Sequence, residues 1–370
     1  MAILPRLQEA QDIVRLLAVG GYARQSSILR EIYRPLGQHD IRLLHLLPGA
    51  QDEALHGWIE QRSLFTREAC AEEPRYTALS YVWGSEEVIG SISIDGTELP
   101  ITRNLDRYLR QLRHHETVLT LWIDSICINQ EDVIEKNQQV ALMPQIYSIA
   151  QGVDVWLGEK SKYSPIGMDT LKYFATHPQP TKDAPWQTLP HDLSLSGLTD
   201  IMGRAWFRRI WVVQEVVLAE RTRLIWGTST VPWGRSSSGV EASMRMIKFA
   251  CILPEWRHKG LNSIQMRPLL KLLDLQLEVM LAKNTGTLRR CADVLDIAYE
   301  LRERLASDPR DMLFSIVGMV DGLWSCEDFK PDYRFSVEQS YNLLQSTIRF
   351  CGYNCSGPEE HLLRRRQPWE

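Results

Sequence analysis

Apolar residues arrive along this chain as short strand-like runs separated by stretches of helical spacing. A first run covers residues 41–47 and stops at Pro48-Gly49. A second spans about 55–62. Residues 76–83 follow Pro74 as a buried strand that breaks at Gly84. Apolar and polar residues then alternate over 91–101 around Asp95-Gly96, a strong hairpin signal. Helical spacing follows over 104–112, a strand over 118–124, and a longer helix over 131–150 marked by Val133, Val140, Met143, Ile146 and Tyr147. Pro144 is expected to kink that helix. A strand over 153–157 ends at Gly158. A polar, proline-bearing connector fills about 161–190, and a hairpin around Gly227 pairs 221–226 with 230–233. From about residue 234 the spacing is mostly helical. Strands alternating with helices predict an α/β fold built on βαβ units, with a mainly parallel sheet.

Composition narrows the function classes. The chain has 370 residues, 44% hydrophobic and 24% charged, which suits one large domain with an appendage, or two domains. A net charge of -4 gives no electrostatic footprint for nucleic acid, and Arg364-Arg365-Arg366 is too short to supply one. No apolar run approaches the ~20 residues that span a bilayer. Arg6, Arg15 and Arg24 are interleaved with Glu9 and Asp12, unlike a transit peptide, so a cytoplasmic protein is expected. The seven cysteines are scattered; Cys351 and Cys355 form a CxxxC with no second pair, so reduced, mostly buried thiols are expected. No HExxH or paired-histidine spacing indicates a metal.

Two clusters carry candidate chemistry. Residues 121–130 read as a buried strand whose end delivers Asp124, Asn129 and Gln130 to one edge of the sheet, where ligands bind in open α/β folds. Those groups either cap the turn or serve chemistry. Cys127 is read as a buried thiol, because no histidine lies between His115 and His177 to act as its base. In the second cluster, if helical, Trp206, Ile210, Val213 and Val217 form one apolar stripe with Glu215 on the opposite face. Glu215 beside Trp211 and Arg208 can hold a ribose or a cationic ring, or belong to a solvated salt-bridge ladder. Trp83-Gly84-Ser85 is either a strand-ending turn or a place where backbone N–H groups approach a ligand. Asp308, Pro309 and Gly318 read as the cap, first turn and end of a helix, with Arg310 pairing to carboxylates.

These blocks, in this order, resemble the fungal heterokaryon-incompatibility (HET) domain. The matching pieces are residues 76–84, Leu121-Trp122-Ile123-Asp124 with Cys127-Ile128-Asn129-Gln130, then Gln139-Val140, Met143, Ile146-Tyr147 and residues 155–158. Last come Trp206-Phe207, Arg209, Trp211 and Gln214-Glu215. The resemblance covers roughly 76–219 within a domain expected over 31–233. A helical extension over 1–30, a helical region over 234–355 and a polar tail over 356–370 are expected around it. Residues 41–49, 308–318 and Pro331-Asp332-Tyr333 also match flanking segments of relatives. Many relatives run on further, which implies a shortened form or a truncated gene model.

The resemblance implies a fungal protein of vegetative incompatibility, self/non-self recognition and programmed cell death. The HET domain is distantly similar to the TIR fold, whose members include assembly modules and NAD-cleaving enzymes. That implies a TIR-like, mainly parallel sheet flanked by helices and followed by a mostly helical C-terminal region. It also implies an NAD glycohydrolase candidate with Glu215 as the catalytic carboxylate. Ser80, Trp83, Gly84, Ser85, Asp124, Asn129, Gln130, Arg209 and Trp211 would shape the substrate site, with NAD as substrate and no cofactor or metal. The alternative is a non-catalytic signalling scaffold, or a degenerate paralogue without a death role. Expected partners are a second copy of the chain or an incompatibility partner protein, and neither nucleic acid nor membrane.

Overall fold

A computed structural model describes residues 32–64, 76–84, 88–234, 236–285, 293–320 and 329–354. The expected N-terminal helix, Ser85 and the polar tail lie outside the described residues. The strands are β1 (Asp40–Leu46), β2 (Leu55–Ser63), β3 (Thr77–Tyr81), β4 (Val88–Ile94), β5 (Thr97–Thr102), β6 (Leu119–Trp122), β7 (Gly152–Trp156), β8 (Thr222–Trp226) and β9 (Ser229–Trp233). They form one nine-stranded sheet in the order β5-β4-β2-β1-β6-β3-β7-β8-β9. Its centre, β6-β3-β7-β8, is parallel, whereas β1 runs antiparallel to β2 and β6, and β5 and β9 close the edges antiparallel to β4 and β8. The sheet is therefore mixed, parallel at its centre and between β2 and β4, and antiparallel elsewhere.

The first helices are α1 (Arg103–Leu112), α2 (Asp124–Cys127), α3 (Val133–Ile149), α4 (Ser164–Thr176), α5 (Pro185–Thr188), α6 (His191–Met202) and α7 (Trp211–Val217). The C-terminal region adds α8 (Ser237–Ile252), α9 (Pro254–His258), α10 (Arg267–Thr285), α11 (Asp293–Leu301), α12 (Asp311–Val317) and α13 (Val337–Asn354). Asp132 starts α3 by accepting from the backbone N–H groups of Ile134 and Glu135 at 2.9 and 3.2 Å, which satisfies two otherwise orphaned donors. Asp95, at φ 51°, and Gly96, at φ 82°, supply the two positive-φ positions of the tight β4–β5 turn.

The period of two along the strands sorts side chains into two cores. Ala78, Val153 and Val155 face the larger core with α3, α7 and the C-terminal helices, while Leu79, Tyr81 and Trp156 face the smaller one with α1. Ser80 shares the face of Ala78, so the alternation alone points it toward α7. Each fully buried Val or Leu contributes roughly 1.5–3 kcal/mol relative to an exposed one, which is why the register holds.

The structure corrects four expectations. The polar connector over 161–190 contains α4 and α5, and there Trp186 is wholly buried against Tyr173, Phe174 and Trp256. The strand over 118–124 ends at Trp122, and Asp124 opens a single helical turn. The cluster over 204–219 is not one helix: a 3-10 turn (Ala205–Arg208) precedes α7, with Arg209 extended at φ -73° and ψ 142° between them. The interruption has a cause. Leu305 pairs with this segment, donating to Arg208 O at 2.6 Å and accepting from Ile210 N at 3.0 Å. Arg304, buried, donates its guanidinium to the carbonyls of Phe207, Arg209 and Pro268. Asp308 caps the turn before α12 rather than α12 itself, accepting from Arg310 N at 3.0 Å, and Arg310 returns its guanidinium to Asp308 and to the carbonyls of Tyr333 and Phe335. Among the described residues no helix is long and apolar enough to cross a membrane.

Candidate functional site

The chain passes from β3 to β6 on one side, then returns across β3 to β7 on the other. Parallel sheets leave a crevice at the carboxyl ends of the strands where the winding reverses. A cleft of about 390 Å³ occupies that place, between the ends of β3 and β7 and the start of α1. Gly84, at φ 85°, turns the chain away after β3, and Gly158, at φ 108°, does so after β7; L side chains rarely adopt either conformation. Asn104 ties the walls together: its amide donates to Val82 O at 2.6 Å, and its carbonyl accepts from Trp156 Nε1 at 2.8 Å.

Trp206 forms part of the cleft wall and leads inward. Its Nε1 donates to Ser80 Oγ at 2.8 Å, and Ser80 Oγ in turn donates to Glu215 Oε2. Ser80 is wholly buried and Glu215 only 2% exposed. Of the two readings of Glu215, the solvated salt-bridge ladder is thus excluded. Its helix, α7, is short and enclosed by β3, α3, α10 and α12, so every residue of it but Trp211 is buried. Burial pushes the Glu215 carboxyl from its ordinary 4.5 up to about 7; the Arg209 cation and the Ser80 hydrogen bond pull the other way, and the Asp124 charge adds to the rise. A carboxyl poised there can exist in either protonation state near neutral pH, as acid–base or charge-stabilising work requires.

The remaining candidates fall around this chain of bonds. Asp124 accepts from Trp83 Nε1 at 2.9 Å and from Ser125 N at 2.8 Å, and burial raises its pKa against the pull of Arg209. Arg209 donates to Tyr81 O and lies close enough to influence both carboxyls. Gln130 donates to Asp124 O at 2.9 Å, and Asn129 offers its N–H to Glu135 and its side-chain oxygen to Glu131 N, so both hold the loop after α2. Trp83, 38% exposed, and Gly84 line the cleft. Trp211 stands apart from it, its indole hydrogen-bonded to Asp311, which also accepts from Tyr333 Oη at 2.6 Å. Ser85 lies outside the described residues. Cys127 is wholly buried, its thiol pushed up to about 12, as an inert core thiol should be.

Sequence reasoning missed Trp206 as a wall, Asn104 as a tie, and the arginines Arg103, Arg107 and Arg204 that line the cleft. Trp206 was hidden by its apolar stripe spacing. One signal was available: Arg103 is the first residue of α1, where the helix dipole disfavours a cation.

Comparison with known proteins gives this arrangement a family. Residues 76–215 match the family model described as Heterokaryon incompatibility protein (HET). The chain is 32% identical over 203 residues to Heterokaryon incompatibility protein 6, OR allele, of Neurospora crassa; the match takes in 43% of this chain and 29% of that relative. The matched stretch is thus less than a third of the relative's length. No solved structure matches the chain. The cleft, the buried Ser80–Glu215 pair and the loop at Asp124 all lie within the matched segment, and residues 76–215 carry a heterokaryon incompatibility (HET) domain.

Proposed function

We propose that this chain acts in heterokaryon incompatibility, the role its Neurospora crassa relative is named for, and that its HET domain promotes cell death by cleaving NAD at the nicotinamide–ribose bond. The observation that carries the reading is the position of Glu215. A carboxyl raised to about 7 sits one hydroxyl and one indole behind a cleft at the carboxyl ends of parallel strands. In the reaction the C1′–N bond breaks, its electron pair leaves with nicotinamide, and the ionised Glu215 stabilises the oxocarbenium-like ribose. Water then forms the new C1′–O bond, and its proton passes to the carboxylate or to solvent. Trp206 and Ser80 separate Glu215 from the cleft, so substrate contact requires the Trp206 side chain to give way. Because the ionised form does the work, the rate should rise with pH through about 7.

A second reading has its own support. Glu215 is buried, already bonded to Ser80, and outside the cleft lining, which suits a scaffold that signals by assembling with a second copy or with an incompatibility partner. One experiment separates the two: express the wild-type protein and Glu215→Gln in fungal cells and follow both NAD content and viability. The enzyme reading expects NAD depletion and death with the wild type and neither with the variant. Death unchanged in the variant, with NAD intact, overturns it in favour of the scaffold.

A further inference from the structure

The cleft beside the Ser80–Glu215 pair has an electrostatic character that the hydrolysis step does not use. Three arginines, Arg103, Arg107 and Arg204, line it against a single carboxylate, Glu159. Two of them lie on α1, a helix of ten residues: Arg103 is its first residue, at the amino end that already carries positive potential, and Arg107 follows one turn later.

Arg204 is held in place from two sides. Its guanidinium donates to Asp200 Oδ1 at 2.9 Å and stacks over the Trp226 ring at 4.4 Å from the centroid. Asp200 is itself fixed, accepting from Ser161 Oγ at 2.5 Å. This leaves a pre-oriented planar cation beside Gly158, where no side chain intervenes. Arg107 and Glu159 meet only at 3.5 Å, and both are largely exposed, so their pairing is loose and readily exchanged for a doubly charged anion. Trp83 adds a part-exposed indole to the rim. Guanidinium forks match phosphate oxygens in geometry as well as charge.

We propose that Arg103, Arg107 and Arg204 form the diphosphate seat of this cleft, so that it takes a nucleotide by its diphosphate; this rests on the NAD reading above. The assignment makes the arginines binding residues and leaves the bond cleavage to Glu215.

The test is calorimetric titration of the full chain with ADP, using adenosine as the probe without phosphate. ADP should bind saturably, more weakly as salt is raised, and adenosine at least about tenfold less tightly. Arg107→Ala and Arg204→Ala should each weaken ADP by about tenfold, the loss of one charge-assisted contact, while adenosine binding stays the same. Arg107 is an exposed helix residue, so its variant keeps the fold even if Arg204→Ala does not. Glu215→Gln should bind ADP as the wild type does. Equal affinity for ADP and adenosine, or ADP binding unchanged in both arginine variants, overturns the proposal. If ADP binding follows the arginines but NAD is never consumed, the diphosphate seat stands and the catalytic reading alone falls.

Discussion

Replacing Glu215 by Gln should make the protein more stable, and increasingly so as the pH rises. The carboxyl is buried among β3, α3 and α7, and burial lifts it from 4.5 to about 7. The folded protein therefore holds this proton more tightly than the unfolded chain does. The stabilising contribution of the neutral acid is complete below about 4.5 and is lost as the pH climbs through about 7. At about 1.4 kcal/mol per pH unit, the loss comes to about 1 kcal/mol by pH 5 and about 3 kcal/mol by pH 8. Gln has the same shape, its amide oxygen still accepts from Ser80, and it carries no charge to desolvate. Urea unfolding of the full chain at pH 5, 6, 7 and 8, wild type against Glu215→Gln, reads the difference directly and cancels every other titrating group to first order. The variant should gain on the wild type by about 2 kcal/mol between pH 5 and pH 8. A difference that is flat across this range refutes the reasoning. So does a wild type that gains at high pH, because Arg209 would then outweigh burial and Glu215 would be an ordinary ion-paired carboxylate.

Two further outcomes follow from the same geometry. Arg304→Met should cost about 3 kcal/mol or more, since it strands the carbonyls of Phe207, Arg209 and Pro268, and hydrogen exchange should show the extended link at Arg209 loosening before the sheet does. Gly84→Ala should cost about 1–2 kcal/mol in thermal or urea unfolding from its φ of 85° alone, because the nearest atom to an added Cβ, Asn104 Cβ, lies at a comfortable 3.8 Å; a larger loss would mean that the cleft wall itself collapses.

Much of the fold was legible because its signals are local. Alternation over 91–101 and the Asp95-Gly96 turn determine the β4–β5 hairpin, and the apolar runs at β3, β6 and β7 mark the parallel centre. The motif blocks also brought Ser80, Asp124, Arg209 and Glu215 to notice together, and the structure places these residues around one corner of the sheet. The helices between β7 and β8 were less legible, because polar residues and prolines mask the spacing of Met168, Leu171 and Phe174, which pack inside the main core. The break at Arg209 was not legible at all. It is imposed by Arg304 and Leu305, which lie far along the chain and compete for the same backbone groups.

The sequence by itself determined which residues are apolar, where turns fall, and which blocks belong to a HET domain, since these depend on neighbours along the chain. The tertiary structure decided what Glu215 and the arginines are. Whether Glu215 was a surface acid or an enclosed one stayed open, because a seven-residue helix cannot reveal that other elements cover the face that carries it. Its partner Ser80 is 135 residues away, and the desolvation that raises its pKa is a property of the enclosed volume. Arg103, Arg107 and Arg204 likewise become one cationic wall only when β3, β7 and α1 converge, because charge and solvent act through space and not along the backbone.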